Sequence, residues 1–247
     1  MKALITGASS GIGRDIAREL SRKGYDLIIV ARNEKKLEEL KSDLNTNTQI
    51  VSMDLTSEEN CKKLYERFPD IDLLVNNAGL GECGKFTETD LEKELTIIKT
   101  NIIALHILTK LYLREMKEKD SGTILNVASI AGFMPGPLMA TYYASKNYVV
   151  RLSESIREEL KKEKSHVQVS ILCPGPVRTN FNNVANVRFE ISSLSSEYVA
   201  KYAVNKMLRN KFYIIPGFGV RLAKLFSKVT PTPILAKFAY QMQKRKI

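Results

Sequence analysis

The chain has 247 residues, a net charge of +11 at pH 7 and 44% hydrophobic residues, which is enough for one α/β domain with a large core. No stretch reaches the roughly 18 apolar residues that a membrane span needs. Because the first predicted strand begins at residue 2, we also expect no targeting peptide and a cytoplasmic protein. Three widely spaced cysteines and two histidines fit neither a disulfide framework nor a metal site.

Apolar runs and helical patterns alternate along the chain. The predicted strands are Lys2–Thr6, Asp26–Ala31, Gln49–Met53, Leu73–Asn76, Gly122–Val127, Gln168–Cys173 and Phe212–Ile215. The predicted helices are Ile12–Lys23, Asn33–Asn45, Ser57–Phe68, Asp90–Lys119, Tyr142–Lys164 and Ser195–Leu208. This alternation predicts a Rossmann-type, doubly wound α/β fold: a seven-stranded parallel sheet with helices on both faces. We expect this domain to cover residues 1–216, and residues 217–247 to form a basic extension, either within the same domain or as a lid.

A glycine-rich turn joins the first predicted strand to the first helix. It reads Thr6-Gly7-Ala8-Ser9-Ser10-Gly11-Ile12-Gly13. Glycines let a backbone approach a pyrophosphate closely, and the start of a helix offers free N–H groups to its charge. No Gly-Lys-Ser/Thr follows, which argues against a P-loop, so the setting predicts a dinucleotide site. A glycine turn without a ligand is the alternative.

The end of the second predicted strand indicates which dinucleotide is bound. An acidic residue there would bind the 2′-hydroxyl of NAD and repel a 2′-phosphate. This chain has Ala31-Arg32-Asn33 instead, and Arg32 can form charge-assisted bonds to a phosphate. We therefore predict NADP(H), with Ser9 and Asn33 as further phosphate ligands. A surface arginine without a ligand is the alternative.

Three side chains suggest proton transfer. Tyr142 and Lys146 lie four residues apart, which places them on one helix face, and Ser129 lies thirteen residues before Tyr142. A nearby ammonium lowers the pKa of a phenol from its usual value of about 10. Together the three could move a proton at a carbonyl oxygen while a hydride is transferred. A packing tyrosine beside a solvated lysine is the alternative.

These motifs resemble the motif set of the classical short-chain dehydrogenases/reductases. The resemblance covers residues 1–216 and rests, in the family's order, on Thr6–Gly13, Asn76-Asn77-Ala78-Gly79, Asn101, Ser129, Tyr142, Lys146 and Pro174-Gly175. It implies that Tyr142 is the general acid and base, that Lys146 lowers its pKa and binds the nicotinamide ribose, and that Ser129 polarises the carbonyl. Tyr143 competes with Tyr142 for the catalytic role, but the family spacing selects Tyr142.

The resemblance also implies a role for Asn101, which would hold a water that links Lys146 to solvent. A buried asparagine with internal partners is the alternative. It further implies cofactor contacts by Gly7, Ser9, Ser10, Gly11, Ile12, Gly13, Arg32, Asn33, Asp54, Leu55, Asn76, Ala78, Gly79, Lys146, Pro174, Gly175, Val177 and Thr179. Instead of contacting the cofactor, Asp54 could cap the following helix. Asn76–Gly79 could likewise form a turn without a ligand.

Residues 176–194 show no clear periodicity and contain Asn182, Asn183 and Asn186; the resemblance implies a mobile substrate loop here. A hydrophobic ketone, such as a ketosteroid, a 3-oxoacyl chain or a small xenobiotic, is expected as substrate. That expectation rests on Phe181, Phe189, Phe218 and Phe226. A non-catalytic protein that senses NADP(H) is the alternative function. Family members usually form dimers or tetramers through two long helices, here Asp90–Lys119 and Tyr142–Lys164.

The extension after residue 216 is basic and amphipathic. Its seven basic residues and no acidic one supply seven of the net charge of +11, which leaves +4 for the rest. Basic residues are Arg221, Lys224, Lys228, Lys237, Lys244, Arg245 and Lys246. Predicted apolar stripes comprise Phe218, Leu222, Leu225, Phe226 and Val229, then Ile234, Leu235, Phe238 and Met242. Either a packed lid or oligomer interface, or a surface for anionic lipid, is expected. No nucleic-acid motif accompanies the charge.

Overall fold

The computed structural model describes residues 1–179, 181 and 193–244. The expectations that involve Asn182, Asn183, Asn186, Phe189, Arg245 and Lys246 lie outside these residues.

A parallel sheet of seven strands forms the centre of the described part of the chain, as predicted. In chain order its strands are β1 (Lys2–Thr6), β2 (Asp26–Ala31), β3 (Thr48–Ser52), β4 (Leu73–Asn76), β5 (Thr123–Val127), β6 (Gln168–Leu172) and β9 (Tyr213–Ile214). Their order across the sheet is β3-β2-β1-β4-β5-β6-β9. The order reverses beside β1, and ligands of open α/β sheets bind at such a switch point. A short parallel pair, β7 (Val177–Arg178) with β8 (Leu194–Ser195), was not predicted.

Both faces of the sheet are buried because its strands are apolar throughout. Leu4 and Ile28 belong to the core on one face, whereas Ile5 and Ile29 belong to the core on the other. The covering helices are α1 (Gly11–Arg22), α2 (Glu34–Ser42), α3 (Glu58–Arg67), α4 (Leu91–Ile98), α5 (Leu105–Glu118), α6 (Ala140–Lys162) and α7 (Ser196–Met207). The predicted Rossmann-type fold is therefore confirmed.

One predicted helix, Asp90–Lys119, contains a change of winding. A π-helical segment, Lys99–Ala104, lies between α4 and α5 and contains Asn101. Such segments often occur at functional sites. We expected no stretch apolar enough for a membrane span. That expectation was wrong, because the helical segment Leu91–Glu118 is long and apolar enough to cross a membrane. The core helices of soluble proteins often have the same length and composition. In this segment, Leu108 and Tyr112 are buried in the core.

Two helices follow the sheet, α8 (Phe218–Val229) and α9 (Thr232–Lys244), and we call them the tail helices. The apolar stripe predicted for α8 faces outward: Phe218 is 73% exposed and Val229 is 76% exposed. The inward side instead carries Arg221, which donates to the Ile215 carbonyl and the Tyr202 hydroxyl. The sequence pattern identified the stripe correctly but does not show which side of a helix meets the protein.

Candidate active site

A cavity of about 410 Å³ opens at the carboxyl ends of the central strands. Sixteen of the eighteen predicted cofactor contacts line it: Gly7, Ser9, Ser10, Gly11, Ile12, Arg32, Asn33, Asp54, Leu55, Ala78, Gly79, Lys146, Pro174, Gly175, Val177 and Thr179. Ser129 and Tyr142 line it as well. The fold therefore brings motifs that are distant in sequence to one edge of the sheet.

The glycine turn fits a pyrophosphate because glycines without side chains leave its backbone accessible and allow left-handed conformations. Gly7 has a φ of 66° and Gly11 has a φ of 55°, conformations that favour glycine. A Cβ on Gly7 would lie 2.8 Å from the Ala78 Cα, so any side chain there would also crowd the turn. Since α1 begins at Gly11, its first N–H groups point into this cradle. These residues fit a bound dinucleotide.

Asn77 holds the glycine turn in place, and our sequence analysis did not single it out. Its amide donates to the carbonyl oxygens of Thr6 and Gly7 at 3.0 and 3.1 Å. The Thr6 hydroxyl in turn accepts from the backbone of Asn77 and Ala78. The Asn-Asn-Ala-Gly motif therefore stabilises the phosphate cradle as well as lining it.

Two predicted cofactor contacts lie behind the cavity wall. The Asn76 side chain is buried in the core, where it donates to the Thr109 hydroxyl and to Asn126 Oδ1 at 3.0 and 2.9 Å. Gly13 is buried under the turn, and a Cβ there would lie 2.3 Å from Asn77 Nδ2. Asn76 and Gly13 therefore do not line the cavity, because alternate residues of a strand point away from its ligand edge and Gly13 permits close packing. Their contact with a cofactor stays a prediction.

The far end of the cavity is basic. Arg32 and Lys36 both line it and are exposed. Asn33 caps α2, since its side chain accepts a hydrogen bond from the Lys36 N–H at 3.0 Å. The sequence did not identify Lys36 as a lining residue, because it lies one helical turn beyond the end of β2, where the predicted phosphate ligands end. An anion there would meet two cations and the start of α2.

Asp54 lines the cavity but does not cap α3. Its carboxylate accepts from the Thr56 N–H at 3.0 Å, whereas Ser57 is the cap and accepts from the Asn60 N–H. The alternative of Asp54 as a helix cap was therefore wrong. Asp54 and Leu55 both line the cavity, and their contact with the cofactor stays a prediction.

Ser129, Tyr142 and Lys146 form one cluster on the cavity wall. Tyr142 and Ser129 both line the cavity, and Ser129 lies close enough to Tyr142 to act on the pKa of its phenol. Ser129 lies two residues after the end of β5. The Lys146 ammonium donates to the Val127 carbonyl at 2.9 Å and lies 5.9 Å from the centroid of the Tyr142 ring. The α6 helix thus presents Tyr142 and Lys146 to the same edge from successive turns, as the spacing predicted.

Burial dominates the electrostatics of this cluster. It lowers the pKa of Lys146 to about 8, against a smaller opposing effect of Cys173. It also raises the pKa of Tyr142, and the nearby Ser129 hydroxyl opposes that rise. The expected lowering of the Tyr142 pKa by Lys146 is therefore absent from this structure. The physical reason is that the ammonium is directed at the Val127 carbonyl rather than at the phenol oxygen.

Asn101 lies behind the Lys146 ammonium. It is 1% exposed, exchanges two hydrogen bonds with the backbone of Leu80 and donates a third to the Ser145 hydroxyl. A Cβ on Gly79 would lie 3.3 Å from Lys146 Nζ and 3.4 Å from Asn101 Oδ1, so the glycine separates the two groups. The alternative of a buried asparagine with internal partners describes these contacts; the water relay stays a prediction.

The mouth of the cavity is apolar and aromatic. Tyr142 and Phe181 have ring centroids 5.3 Å apart, and both pack against Met139 together with Tyr143. Gln243, from the second tail helix, lines the same cavity and donates to the Tyr143 hydroxyl. Gln243 was missed because only the tertiary fold brings residue 243 to this site.

The segment after β6 lines the part of the cavity where the sequence predicts contacts to the nicotinamide. The Pro174 carbonyl accepts from the Ile130 N–H at 2.9 Å, which joins this segment to the loop that carries Ser129. Gly175 lies under the first tail helix, where a Cβ would be 2.7 Å from Val220. Among the residues that the structure describes, no group of three or more His, Cys, Asp or Glu could hold a metal ion.

Known proteins share this sequence and fold. The family model described as short chain dehydrogenase matches residues 1–188. An uncharacterised oxidoreductase of Staphylococcus epidermidis is 38% identical over 182 residues, which cover 72% of this chain and 78% of that protein. The very-long-chain 3-oxoacyl-CoA reductase of Phaeosphaeria nodorum is 37% identical over 179 residues, or 67% of this chain and 52% of that protein.

Solved structures agree with the sequence match. A short-chain dehydrogenase from Sphingobium yanoikuyae in complex with NADPH has a TM-score of 0.82 at 26% identity, covering 100% of this chain and 96% of that one. Solved structures similar to this chain hold NADPH, NADP+ or NAD. The likeness therefore supports a nicotinamide cofactor. It does not distinguish NADP(H) from NAD(H), so that distinction depends on the residues of this chain.

Proposed function

Because this chain belongs to the short-chain dehydrogenase family, we propose that it is an NADP(H)-dependent oxidoreductase that reduces a carbonyl group, or oxidises an alcohol, on a hydrophobic substrate. The observation that carries the proposal is the cluster of Ser129, Tyr142 and Lys146 on the wall of a cavity suited to a dinucleotide. In this family the hydride comes from, or goes to, the bound nicotinamide, and the protein supplies position and a proton.

Each side chain of the cluster has a distinct task. Tyr142 donates a proton to the substrate oxygen during reduction and withdraws it during oxidation. Ser129, on the same cavity wall as Tyr142, would hold the same oxygen from a second direction and polarise the carbonyl. Lys146, one helical turn away, would bind the nicotinamide ribose, and it would favour the phenolate only when its ammonium turns from the Val127 carbonyl toward the phenol oxygen. The apolar mouth excludes water from this transfer.

The basic end of the cavity favours NADP(H) over NAD(H). A 2′-phosphate there would gain charge-assisted hydrogen bonds from Arg32 and Lys36. The side chain of Asn33 and the first N–H groups of α2 lie at the same end. NAD(H) has no 2′-phosphate that could bind to these groups.

A hydrophobic substrate suits the mouth of the cavity, which is formed by Met139, Tyr143 and Phe181. A 3-oxoacyl chain is the class that the Phaeosphaeria relative is named for; a steroid-like or small ketone would fit the same lining. The decisive experiment is NADPH oxidation with a panel of 3-oxoacyl thioesters and hydrophobic ketones. Stoichiometric NADPH binding without oxidation of any carbonyl would overturn the enzyme and indicate a sensor.

We also propose that the tail helices rest on an anionic membrane surface. Their outward side exposes Phe218, Leu222, Leu225, Phe226, Val229, Ile234, Phe238 and Met242. Exposed apolar patches of this kind mark interaction surfaces. Lys228, Lys237 and Lys244 are exposed on the same helices, and residues 217–247 contain no acidic side chain. Apolar area beside unbalanced positive charge is complementary to anionic lipid.

Two further proposals concern assembly and location. A homodimer or homotetramer would form through the outer sides of Leu91–Glu118 and α6, where Ile102 and Ile103 are half-buried. Light scattering of the purified protein tests this, and a monomer at all concentrations would contradict it. A cytoplasmic location accords with the buried, free thiols of Cys61 and Cys173. Cell fractionation tests the location, and recovery of the protein from an oxidising compartment would contradict it.

A further inference from the structure

Gln243 is a buried amide whose hydrogen bonding is incomplete. It is 1% exposed, although it belongs to the last turn of the chain's final described helix. Its Nε2 donates to the Tyr143 hydroxyl, and its Oε1 has no partner among the described residues. Buried polar atoms nearly always have a partner, so the Gln243 amide oxygen is a candidate to accept a hydrogen bond from a ligand in the cavity that this residue lines.

The pair formed by Gln243 and Tyr143 retains one donor and one acceptor. When the amide N–H donates to the phenol oxygen, the amide oxygen is left to accept and the phenol O–H is left to donate. If the amide is turned over, the phenol donates to the amide oxygen, which leaves an amide N–H to donate and the phenol oxygen to accept. Either orientation therefore leaves both functions on a pair of residues that line the cavity. Because the Oε1 position is buried, a rotation of the Gln243 side chain has to accompany binding for a ligand to reach it.

A hydroxyl group is the substituent that meets both requirements at a single atom. Its oxygen can donate to one member of the pair and accept from the other, which closes a ring of three hydrogen bonds with the bond that already exists between them. A secondary amide is less suitable, because its trans geometry directs the N–H and the carbonyl to opposite sides.

The position of the pair separates this group from the reacting carbonyl. The rings of Tyr142 and Tyr143 have centroids 6.0 Å apart, and the apolar side chains of Met139 and Phe181 lie beside them. The tail helix is held there by Leu235 and Ala239, which are buried on the same side as Gln243. A substrate that fills this space carries its carbonyl at Tyr142 and a second polar group near Gln243.

We propose that Gln243 and Tyr143 form a specificity site for a hydroxyl group on the substrate, so that the preferred substrates are hydrophobic hydroxyketones. This inference rests on the proposed reductase function and deepens it by naming a feature of the substrate. The tail is then part of the substrate site and sets which ketones the enzyme prefers.

Matched ketones test this proposal. Aryl ketones carrying a hydroxymethyl group are compared with analogues carrying an ethyl group of nearly the same shape, in both the para and the meta series. Dissociation constants are measured by calorimetry in the presence of whichever oxidised dinucleotide the protein binds, so that no turnover occurs. For the wild-type protein we expect about tenfold tighter binding of the hydroxymethyl ketone in the better-fitting series.

The variants separate the pair from the rest of the tail. Gln243→Met and Tyr143→Phe should each remove most of the preference, and the double variant should remove little more than either alone, because one ring of bonds is broken in every case. Gln241→Met is the matched control, since Gln241 is exposed on the same helix, and should keep the preference. Equal binding of both ketones by the wild-type protein, or an undiminished preference in Gln243→Met, would overturn the inference.

A separate turnover assay with NADPH distinguishes this outcome from failure of the proposed function. Reduction of both ketones at equal kcat/KM would leave the reductase intact and refute the hydroxyl site. Selective binding of the hydroxymethyl ketone without any reduction would support the hydroxyl site and refute the reductase.

Discussion

Lys146 donates a 2.9 Å hydrogen bond to the carbonyl of Val127, the last residue of β5. This contact ties α6 to the edge of the sheet where Ser129 begins the next segment. It fixes the ammonium of Lys146 behind Tyr142 and explains how residues from two separate elements meet at one cavity. The catalytic proposal depends on this arrangement.

Replacement of Tyr142 by phenylalanine should reduce kcat by about 10²–10⁴-fold, because a positioned proton donor contributes about that much. NADPH affinity should change little, since the proposed role of the hydroxyl is to contact the substrate. Steady-state kinetics and fluorescence titration of NADPH check the two quantities. Tyr143→Phe is the informative comparison: if it removes turnover while Tyr142→Phe retains it, the catalytic acid is Tyr143.

Arg32→Ala should raise the dissociation constant of NADPH by about 10–100-fold through the loss of charge-assisted hydrogen bonds. The constant for NADH should rise far less, because NADH lacks the 2′-phosphate. Lys35→Ala serves as the control, since Lys35 is exposed nearby but is not among the residues that line the cavity. Equal weakening of both dinucleotides in Arg32→Ala would show that the phosphate contact is misassigned.

The pH dependence of stability should reflect the buried lysine. Burial lowers the pKa of Lys146 from 10.5 to about 8, so between these pH values the unfolded chain binds more protons than the folded one. Below about pH 8, the cost of burying the Lys146 charge lowers the free energy of unfolding in full. As pH rises from about 8 to 10.5 this cost disappears, so the contribution of Lys146 to the free energy of unfolding becomes more favourable.

Lys146→Met should flatten this dependence when unfolding by urea is followed across that pH range. Lys224 contributes in the same direction, because its pKa is lowered to about 8, chiefly by burial beside Tyr213. Lys224→Met should thus remove another part of the slope. A Lys146→Met variant that keeps the full wild-type slope would indicate that Lys146 is not protonated with a lowered pKa.

The tail should bind vesicles that contain anionic lipid, and less strongly as salt increases. Leu225→Glu combined with Phe238→Glu should weaken co-sedimentation by at least about tenfold, because two exposed apolar contacts are replaced by charges that anionic lipid repels. Leu208→Glu is the control, since Leu208 is an exposed leucine outside the tail. If the wild-type protein does not bind vesicles and the tail variant dissociates an oligomer, the proposal is wrong. The apolar surface is then an interface between two copies of the chain.

Sequence patterns predicted the sheet well because the strands are short apolar runs bounded by glycine and polar residues. The bounds of Lys2–Thr6, Asp26–Ala31 and Leu73–Asn76 are the same in the structure. Motif residues at the carboxyl ends of these strands were predicted to meet, and most of them do, because parallel strands bring those ends to a common edge.

Other features could not be predicted because they depend on the tertiary fold. The apolar stripe of α8 is visible in the sequence, but its exposure follows from Arg221 and Lys224 packing inward. Asn76 matches a cofactor motif, yet its place in the strand directs it into the core. Gln243 reaches the cavity only because α9 returns to the mouth of the site.

Isotope transfer tests the central claim most directly. Wild-type protein and Tyr142→Phe are each incubated with NADPH deuterated at the transferable position and with the panel of hydrophobic ketones and 3-oxoacyl thioesters, and the alcohols are analysed by mass spectrometry. We predict deuterium at the carbinol carbon of at least one product for the wild-type protein and almost none for Tyr142→Phe. A wild-type protein that forms no deuterated alcohol, or a Tyr142→Phe variant that forms as much as the wild type, would contradict the account.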